Sequence, residues 1–280
     1  MPMDSTWRAA LLQITSGLDP QRSADDIVAG MQEACAQGAE FISTPEMSNF
    51  LPANRREAIS RAVEESDDRV LAAAREAAAR CGCWVHIGSL CLKGAGGKLL
   101  NRGFILTPSG DIAARYDKIH MFDVELGNGE SYRESALYAP GSAATLAETP
   151  LAKLGMTICY DLRFPQVYEQ LALAGADVLL VPAAFTQPTG QAHWETLLRA
   201  RAIETGCFVL AAGQTGTHES GRKTHGHSMA IDPWGRVIDA LERTPGILYC
   251  NIEMKHIASA RSKIPALAHR KPFDVTTMGL

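Results

Sequence analysis

Short apolar, β-branched runs alternate along this chain with stretches whose apolar residues recur at helical spacing. Residues 9–14 read as a strand, 24–36 as a helix, and Phe41–Ser43 as a strand that stops at Thr44-Pro45. Residues 70–79, rich in Ala, Glu and Arg, predict a helix. Strands follow at 84–90 and 102–106 on either side of a turn at 93–98. The Pro108-Ser109-Gly110-Asp111 segment predicts a hairpin turn, because glycine supplies the positive φ that such turns need. The second half repeats this grammar, with strands at 154–159, 178–181, 208–212 and 227–231 and helices at 165–174 and 192–205. A turn at 232–235 then leads to strands at 237–240 and 248–252. Strands interleaved with helices and hairpins predict an α/β fold in which helices cover a mixed sheet.

No residue-level repeat and no Pro/Ser-rich linker divides the chain. One domain is expected over residues 1–280, with a core at about 7–255 and a C-terminal arm at about 256–280. The stretch from Ile264 onward is irregular and moderately basic. It reads either as a solvated arm or as an arm packed at an oligomer interface.

Composition narrows the possible functions a little. Hydrophobic residues make up 46% and charged residues 21% of the 280, ordinary globular values that exclude a disordered chain. The formal charge of −4 provides no basic footprint for nucleic acid, so a small molecule or a protein is the default partner. Apolar runs stay short of the roughly 18 residues that a membrane span requires. Residues 1–8 include Asp4 and no long apolar run, which argues against a secretory signal. The seven cysteines are irregularly spaced. Cys81 and Cys83 form C-x-C, and neither a second pair nor a histidine pair sits at zinc spacing. Reduced thiols in a reducing compartment are the simpler reading, so a soluble, cytoplasmic protein is expected.

Three places deliver a reactive side chain at the end of a strand, where open α/β sheets usually build their sites. Glu46 follows a strand and a proline stop, Lys118 follows the hairpin strand, and Cys159 sits where a strand turns toward a helix. Each has an ordinary explanation when taken singly. A cysteine at a strand end is most often a core residue, a glutamate after proline a cap, and a lysine a surface charge. Together they specify amide hydrolysis, which needs a nucleophile, a proton acceptor and a cation where the carbonyl oxygen becomes negative. Cys159 supplies the nucleophile, reactive as its thiolate. Glu46 accepts the thiol proton and later gives it to the departing ammonia. Lys118 stabilises the oxyanion, with help from the backbone N–H of Tyr160.

The ordered Glu46, Lys118 and Cys159 and their flanks resemble the nitrilase, or carbon–nitrogen hydrolase, superfamily. Its specific pieces are Pro45-Glu46-Met47, the run from Tyr116 to Val124 that contains Lys118, and Ile158-Cys159-Tyr160-Asp161-Leu162-Arg163-Phe164-Pro165. The resemblance covers nearly the whole chain, from Ala9 to about Phe273. It implies a four-layer α-β-β-α sandwich, a homodimer or higher homo-oligomer joined through a helical face, a thioester intermediate, and no metal or organic cofactor. It also implies a second glutamate shortly before a Pro-Gly. Glu134 fits that position, ahead of Pro140-Gly141, and Glu130 lies close by. The role implied for Glu134 is to orient Lys118 and the substrate amide.

Arg163 lies four residues past Cys159, where a guanidinium can hold a substrate carboxylate bidentately; a structural salt bridge is the plain alternative. Phe185 and Thr186 read as pocket lining or as a plain loop. The helix at 192–205 and the segments 226–235 and 269–272 are similar to the deaminated glutathione amidase and omega-amidase branches, the first more closely. That branch cleaves deaminated glutathione to 2-oxoglutarate and cysteinylglycine, whereas omega-amidases act on 2-oxoglutaramate or 2-oxosuccinamate. The loop at 215–224 and the segment 126–133 depart from the pattern and border the leaving-group side. His120 and His193 read as structural, and His225-Gly226-His227 is too sparse for a metal site. The turn at 94–98 lacks the spacing of a phosphate loop. A catalytically inactive binding subunit is the remaining alternative.

Overall fold

The computed structural model describes residues 5–126 and 131–279. Two six-stranded sheets lie face to face, with helices on both outer surfaces. The first is built from β1 (Thr6–Gln13), β2 (Phe41–Ser43), β3 (Trp84–Lys93), β4 (Leu99–Leu106) and β5 (Ile112–Asp117). Helices α1 (Pro20–Ala36) and α3 (Arg69–Cys81) cover its outer side, and the short α2 (Arg55–Arg61) lies between them in sequence. A two-stranded ribbon, β6 (Asp123–Glu125) with β7 (Ser131–Arg133), precedes the second sheet. That sheet comprises β8 (Thr145–Glu148), β9 (Lys153–Met156), β10 (Val178–Leu180), β11 (Phe208–Ala211), β14 (Met229–Ile231) and β15 (Val237–Ala240). Helices α4 (Pro165–Leu173) and α5 (Gln187–Thr205) lie against it, and β12 (Thr215–Thr217) pairs with β13 (Lys223–His225) as a separate hairpin. The last strand, β16 (Gly246–Glu253), returns to pair antiparallel with β1, and α6 (Lys255–Lys263) follows.

The two sheets share one construction. In the order β16-β1-β2-β3-β4-β5, neighbours pair antiparallel, parallel, parallel, antiparallel, antiparallel. The order β8-β9-β10-β11-β14-β15 repeats that series. The recurrent strand–helix grammar of the sequence therefore corresponds to two similar halves stacked through their sheets.

Burial on both faces explains why the strands read as continuous apolar runs rather than as clean alternations. Along β1, Ala10 and Leu12 join the cluster beneath α1 and α3, whereas Ala9 and Leu11 point into the cluster shared with the second sheet. The result is a four-layer α-β-β-α sandwich. Helix starts follow local chemistry, since Asp19 caps α1 by accepting from the Gln21 N–H and Asp68 caps α3 by accepting from the Leu71 N–H.

Several expectations need correction. The strand expected at 154–159 ends at Met156, and Cys159 begins a 3-10 turn, Cys159–Arg163. The helix expected to start at 192 starts at Gln187, with Pro188 tolerated in its first turn, where no backbone N–H is needed. Helices α2 and α6 had no counterpart in the sequence reading. The arm expected from about 256 begins only after α6, whose Ile257 and Ala260 are buried. Phe273, Val275 and Met278 beyond it are exposed.

Candidate active site

Glu46, Lys118 and Cys159 lie at strand ends drawn from both sheets, and each position depends on local backbone chemistry. Glu46 follows β2 at the Thr44-Pro45 corner, which crosses β3 at Gly88. A Cβ at Gly88 would stand 2.2 Å from the Thr44 carbonyl oxygen, 2.4 Å from Pro182 Cβ and 2.5 Å from the Pro45 carbonyl oxygen. Only glycine permits this approach. Gln214 reinforces the corner from the other half, donating through Nε2 to the Glu46 carbonyl at 3.0 Å and to Ser16 Oγ at 2.7 Å. Cys159 adopts a left-handed φ of 51°, and its N–H donates to the Pro182 carbonyl at 2.9 Å. Met47, next to Glu46, has φ 56°. Non-glycine residues held in this conformation cost of order 1–3 kcal/mol each and tend to cluster at functional sites.

Lys118 follows β5, and its Nζ sits between two carboxylates. It donates to Glu46 Oε1 at 3.0 Å and to Glu134 Oε1 and Oε2 at 3.0 and 2.9 Å. Asn101 Nδ2 bridges the same pair, donating to Glu46 Oε1 at 2.9 Å and to Glu134 Oε1 at 3.3 Å. The other oxygen of Glu46 accepts the Ala184 N–H at 2.9 Å, and Glu134 Oε2 accepts the Phe122 N–H at 2.6 Å. Glu46 is 4%, Lys118 2% and Cys159 9% exposed, so these charges interact with little screening by water.

The cysteine and its neighbours divide one proton unequally. Burial pushes the Cys159 thiol well above its usual value and the Glu46 charge adds to this, while Lys118 pulls the other way. Burial alone would raise the Glu46 carboxyl as well. The Lys118 ammonium and the hydrogen bonds from Cys159, Asn101 and Lys118 outweigh that and leave it below its usual 4.5. Burial lowers the Lys118 ammonium, but the Glu134 and Glu46 carboxylates beside it dominate and raise it. The resting arrangement is a neutral thiol hydrogen-bonded to a carboxylate, with an ammonium alongside.

A cavity of about 950 Å³ opens onto this group. Glu46, Lys118, Glu134, Cys159, Tyr160, Arg163, Phe185 and Thr186, the residues expected to form the site, all line it. Arg163 lies 5.9 Å from the Tyr160 ring centre and 5.6 Å from that of Phe185, and its Nη1 meets His193 Nδ1 at 3.2 Å. Thr186 immediately precedes α5, and its hydroxyl pairs with that of Thr189 at 2.8 Å. Glu134 stands beside Lys118; Glu130 lies outside the described residues. Ser131 and Arg133 of one departing segment, and Ser220 and Arg222 of the other, border the cavity. His120 is hydrogen-bonded to Asp161 and stacked on Phe164 with ring centres 3.6 Å apart. No cluster of metal-ligating side chains occurs among the described residues.

The carbon-nitrogen hydrolase family model matches residues 8–262. The chain belongs to this family. It is accordingly a hydrolase of carbon–nitrogen bonds. Among its relatives is the deaminated glutathione amidase of Yersinia enterocolitica, 40% identical over 94% of this chain and 92% of that protein. The NitFhit protein of C. elegans superposes with a TM-score of 0.89 at 34% identity, over 95% of this chain and 65% of the longer one. An amidase from Nesterenkonia, whose structure shows acrylamide added to its active-site cysteine, superposes with a TM-score of 0.78 at 26% identity, covering 92% and 98% of the two chains. No helix among the described residues is long and apolar enough to cross a membrane.

Sequence reasoning missed Asn101, Asp161, Ala184 and Arg222. Asn101 lies inside a strand, and Ala184 acts through its backbone, so neither left a local signal. Asp161 sits within the motif around Cys159, and its full burial is what reveals its purpose. Arg222 belongs to a loop whose sequence looked loosely constrained.

Proposed function

We propose that the protein is a cysteine amidase that hydrolyses deaminated glutathione to 2-oxoglutarate and cysteinylglycine. The observation that carries the chemistry is the buried contact of Lys118 Nζ with both Glu46 and Glu134, beside the thiol that Glu46 holds. As Sγ of Cys159 attacks the amide carbon, its proton passes to Glu46. The carbonyl oxygen becomes an oxyanion held by the Lys118 ammonium and the Tyr160 N–H. Glu46 then protonates the amide nitrogen, the C–N bond breaks, and the amine leaves behind a thioester on Cys159. Water, deprotonated by Glu46, attacks the thioester, and collapse of the second tetrahedral intermediate releases the carboxylic acid and regenerates the thiol. Glu134 keeps Lys118 aimed at the oxyanion.

Arg163 supports a substrate bearing a carboxylate. It stands on the same turn as the nucleophile, faces the cavity and has no carboxylate partner among the described residues. The name carried by the Yersinia relative supports the particular substrate. The decisive experiment compares kcat/KM for deaminated glutathione and 2-oxoglutaramate, together with the mass of enzyme quenched during turnover. The expected result is a preference for the former and a 2-oxoglutaryl adduct on Cys159. A much larger kcat/KM for 2-oxoglutaramate would make the protein an omega-amidase, and an adduct on another cysteine would overturn the assignment of the nucleophile.

The reading extends to a cytoplasmic homodimer joined through the outer helical layer. Supporting it, Leu173 of α4 and Ile203 of α5 are exposed apolar residues, and all seven cysteines are unpaired. Light scattering of the wild type and of an Ile203→Glu variant tests the interface.

A further inference from the structure

A closed circuit of contacts edges the cavity. Arg222 donates through Nη2 to the Ala184 carbonyl at 2.9 Å, and its guanidinium lies 5.6 Å from the Tyr132 ring centre. Tyr132 meets Phe122 at 5.1 Å between ring centres, and Phe122 meets Tyr160 at 5.0 Å. Arg163 then spans Tyr160 and Phe185, and Phe185 adjoins Ala184 in the chain. Two guanidiniums therefore stand at separate points of one ring around the entrance.

Neither guanidinium is matched by a carboxylate among the described residues. Among the described residues no Asp or Glu lies within ion-pair distance of Arg163 or Arg222, although Arg102, Arg115, Arg133 and Arg201 all have such partners. Nε of Arg222 is buried without an acceptor. Arginine keeps its charge throughout the accessible pH range, and a partly buried, unpaired cation is costly until an anion meets it.

The two arginines are also tied to different members of the site. Arg163 shares the turn of Cys159, the residue that keeps the acyl group. Arg222 is hydrogen-bonded to Ala184, whose N–H holds Oε2 of Glu46, the group that hands a proton to the leaving nitrogen. Resting on the amidase reading above, we infer that Arg222 is a specificity-determining residue that binds a carboxylate carried by the leaving group, while Arg163 binds the carboxylate of the acyl half. The preferred substrate thus bears an anionic group on each side of the amide. Deaminated glutathione, with its 2-oxo acid at one end and a glycine carboxylate at the other, has this form; 2-oxoglutaramate, which releases ammonia, lacks the second anion.

The test measures kcat and KM of wild type, Arg222→Gln and Arg222→Lys on deaminated glutathione, on its glycine carboxamide, and on 2-oxoglutaramate. For Arg222→Gln, the ratio of kcat/KM for deaminated glutathione over 2-oxoglutaramate should fall about 10–100-fold, the usual worth of a hydrogen bond to a charged group, mainly through KM. Arg222→Lys should recover part of this. The wild type should discriminate against the carboxamide to a similar degree, and Arg222→Gln should not. A ratio within twofold of wild type, or discrimination against the carboxamide that survives in Arg222→Gln, overturns the inference while leaving the amidase reading intact. A wild-type enzyme active on 2-oxoglutaramate but inert toward deaminated glutathione overturns this inference and the proposed substrate, while the amidase chemistry stands.

Discussion

The Tyr116 hydroxyl donates to Oδ2 of Asp161 across 2.7 Å, and this contact fastens the strand leading to Lys118 to the turn that begins at Cys159. The same oxygen accepts the Ile158 N–H at 2.8 Å. Oδ1 of Asp161 accepts the His120 N–H at 3.0 Å and meets His120 Nδ1 at 2.7 Å. This fully buried carboxylate thereby fixes the Lys118 strand against the Cys159 turn. In Asp161→Asn, one oxygen becomes an amide NH₂ and leaves buried donors unmatched, at a cost of about 1–3 kcal/mol for each. Urea unfolding should show a loss of at least that size, and kcat should fall with it. Tyr116→Phe should lose about 1 kcal/mol, the net worth of one hydrogen bond. An Asp161→Asn enzyme with wild-type stability would contradict this role.

Lys118 separates the carboxylates of Glu46 and Glu134 and, in the proposed mechanism, faces the developing oxyanion. Lys118→Met should reduce kcat by about 10²–10³-fold, the usual effect of removing an oxyanion donor. It should also bring Glu46 and Glu134 into direct repulsion, which raises a carboxyl pKa. The acid limb of the residual activity should consequently move to higher pH. A wild-type pH profile in this variant would show that Lys118 does not govern Glu46.

The free enzyme should hold one protonation state across the neutral range. Glu46 is depressed below 4.5, so it remains a carboxylate as the pH falls through that value. Cys159 is raised well above 9.0, so the thiol persists to alkaline pH. A plot of kcat/KM should therefore be flat between these limits wherever the fold is intact. An acid limb centred near neutrality would require Glu46 to be raised instead.

His86, a fully buried residue whose Nδ1 meets Ser43 Oγ at 2.9 Å and whose Nε2 has no partner among the described residues, should contribute to acid stability. Burial lowers its pKa from 6.5 to about 3. In a depressed histidine the folded state resists protonation. Its contribution is complete above the unfolded value of 6.5 and is lost as the pH falls toward 3. Each pH unit in that window should cost up to about 1.4 kcal/mol, and His86→Leu should flatten the dependence of unfolding free energy on pH by that amount. An unchanged slope would place the loss elsewhere.

Gly88→Ala tests the crossing that brings the two halves together. Its methyl group would fall within 2.2–2.5 Å of the Thr44 and Pro45 carbonyls and Pro182, and these atoms are backbone or fixed ring with no room to yield. Overpacking of this kind costs at least about 1–3 kcal/mol, and the displaced corner carries Glu46. Both Tm and kcat should fall, whereas Gly97→Ala, strained only by its φ of 75° and with nothing within 4 Å of the added methyl, should lower Tm and spare kcat.

Residue order alone determined much of this protein. Strand and helix periods are local, so β1, β2, β3, α3 and α4 could be placed from spacing. Glu46, Lys118 and Cys159 were legible because strand ends and flanking motifs are written in consecutive residues. The 3-10 turn at Cys159 was not legible, since its left-handed φ is imposed by contacts with Pro182 and Asp161 rather than by propensity. Asn101, Ala184 and Arg222 gained their meaning only when two sheets with matching strand order stacked and brought positions distant in the chain to a single cavity. Periodicity records which face of an element is buried; which side chains meet across that burial is set by packing between elements, and no local pattern encodes it.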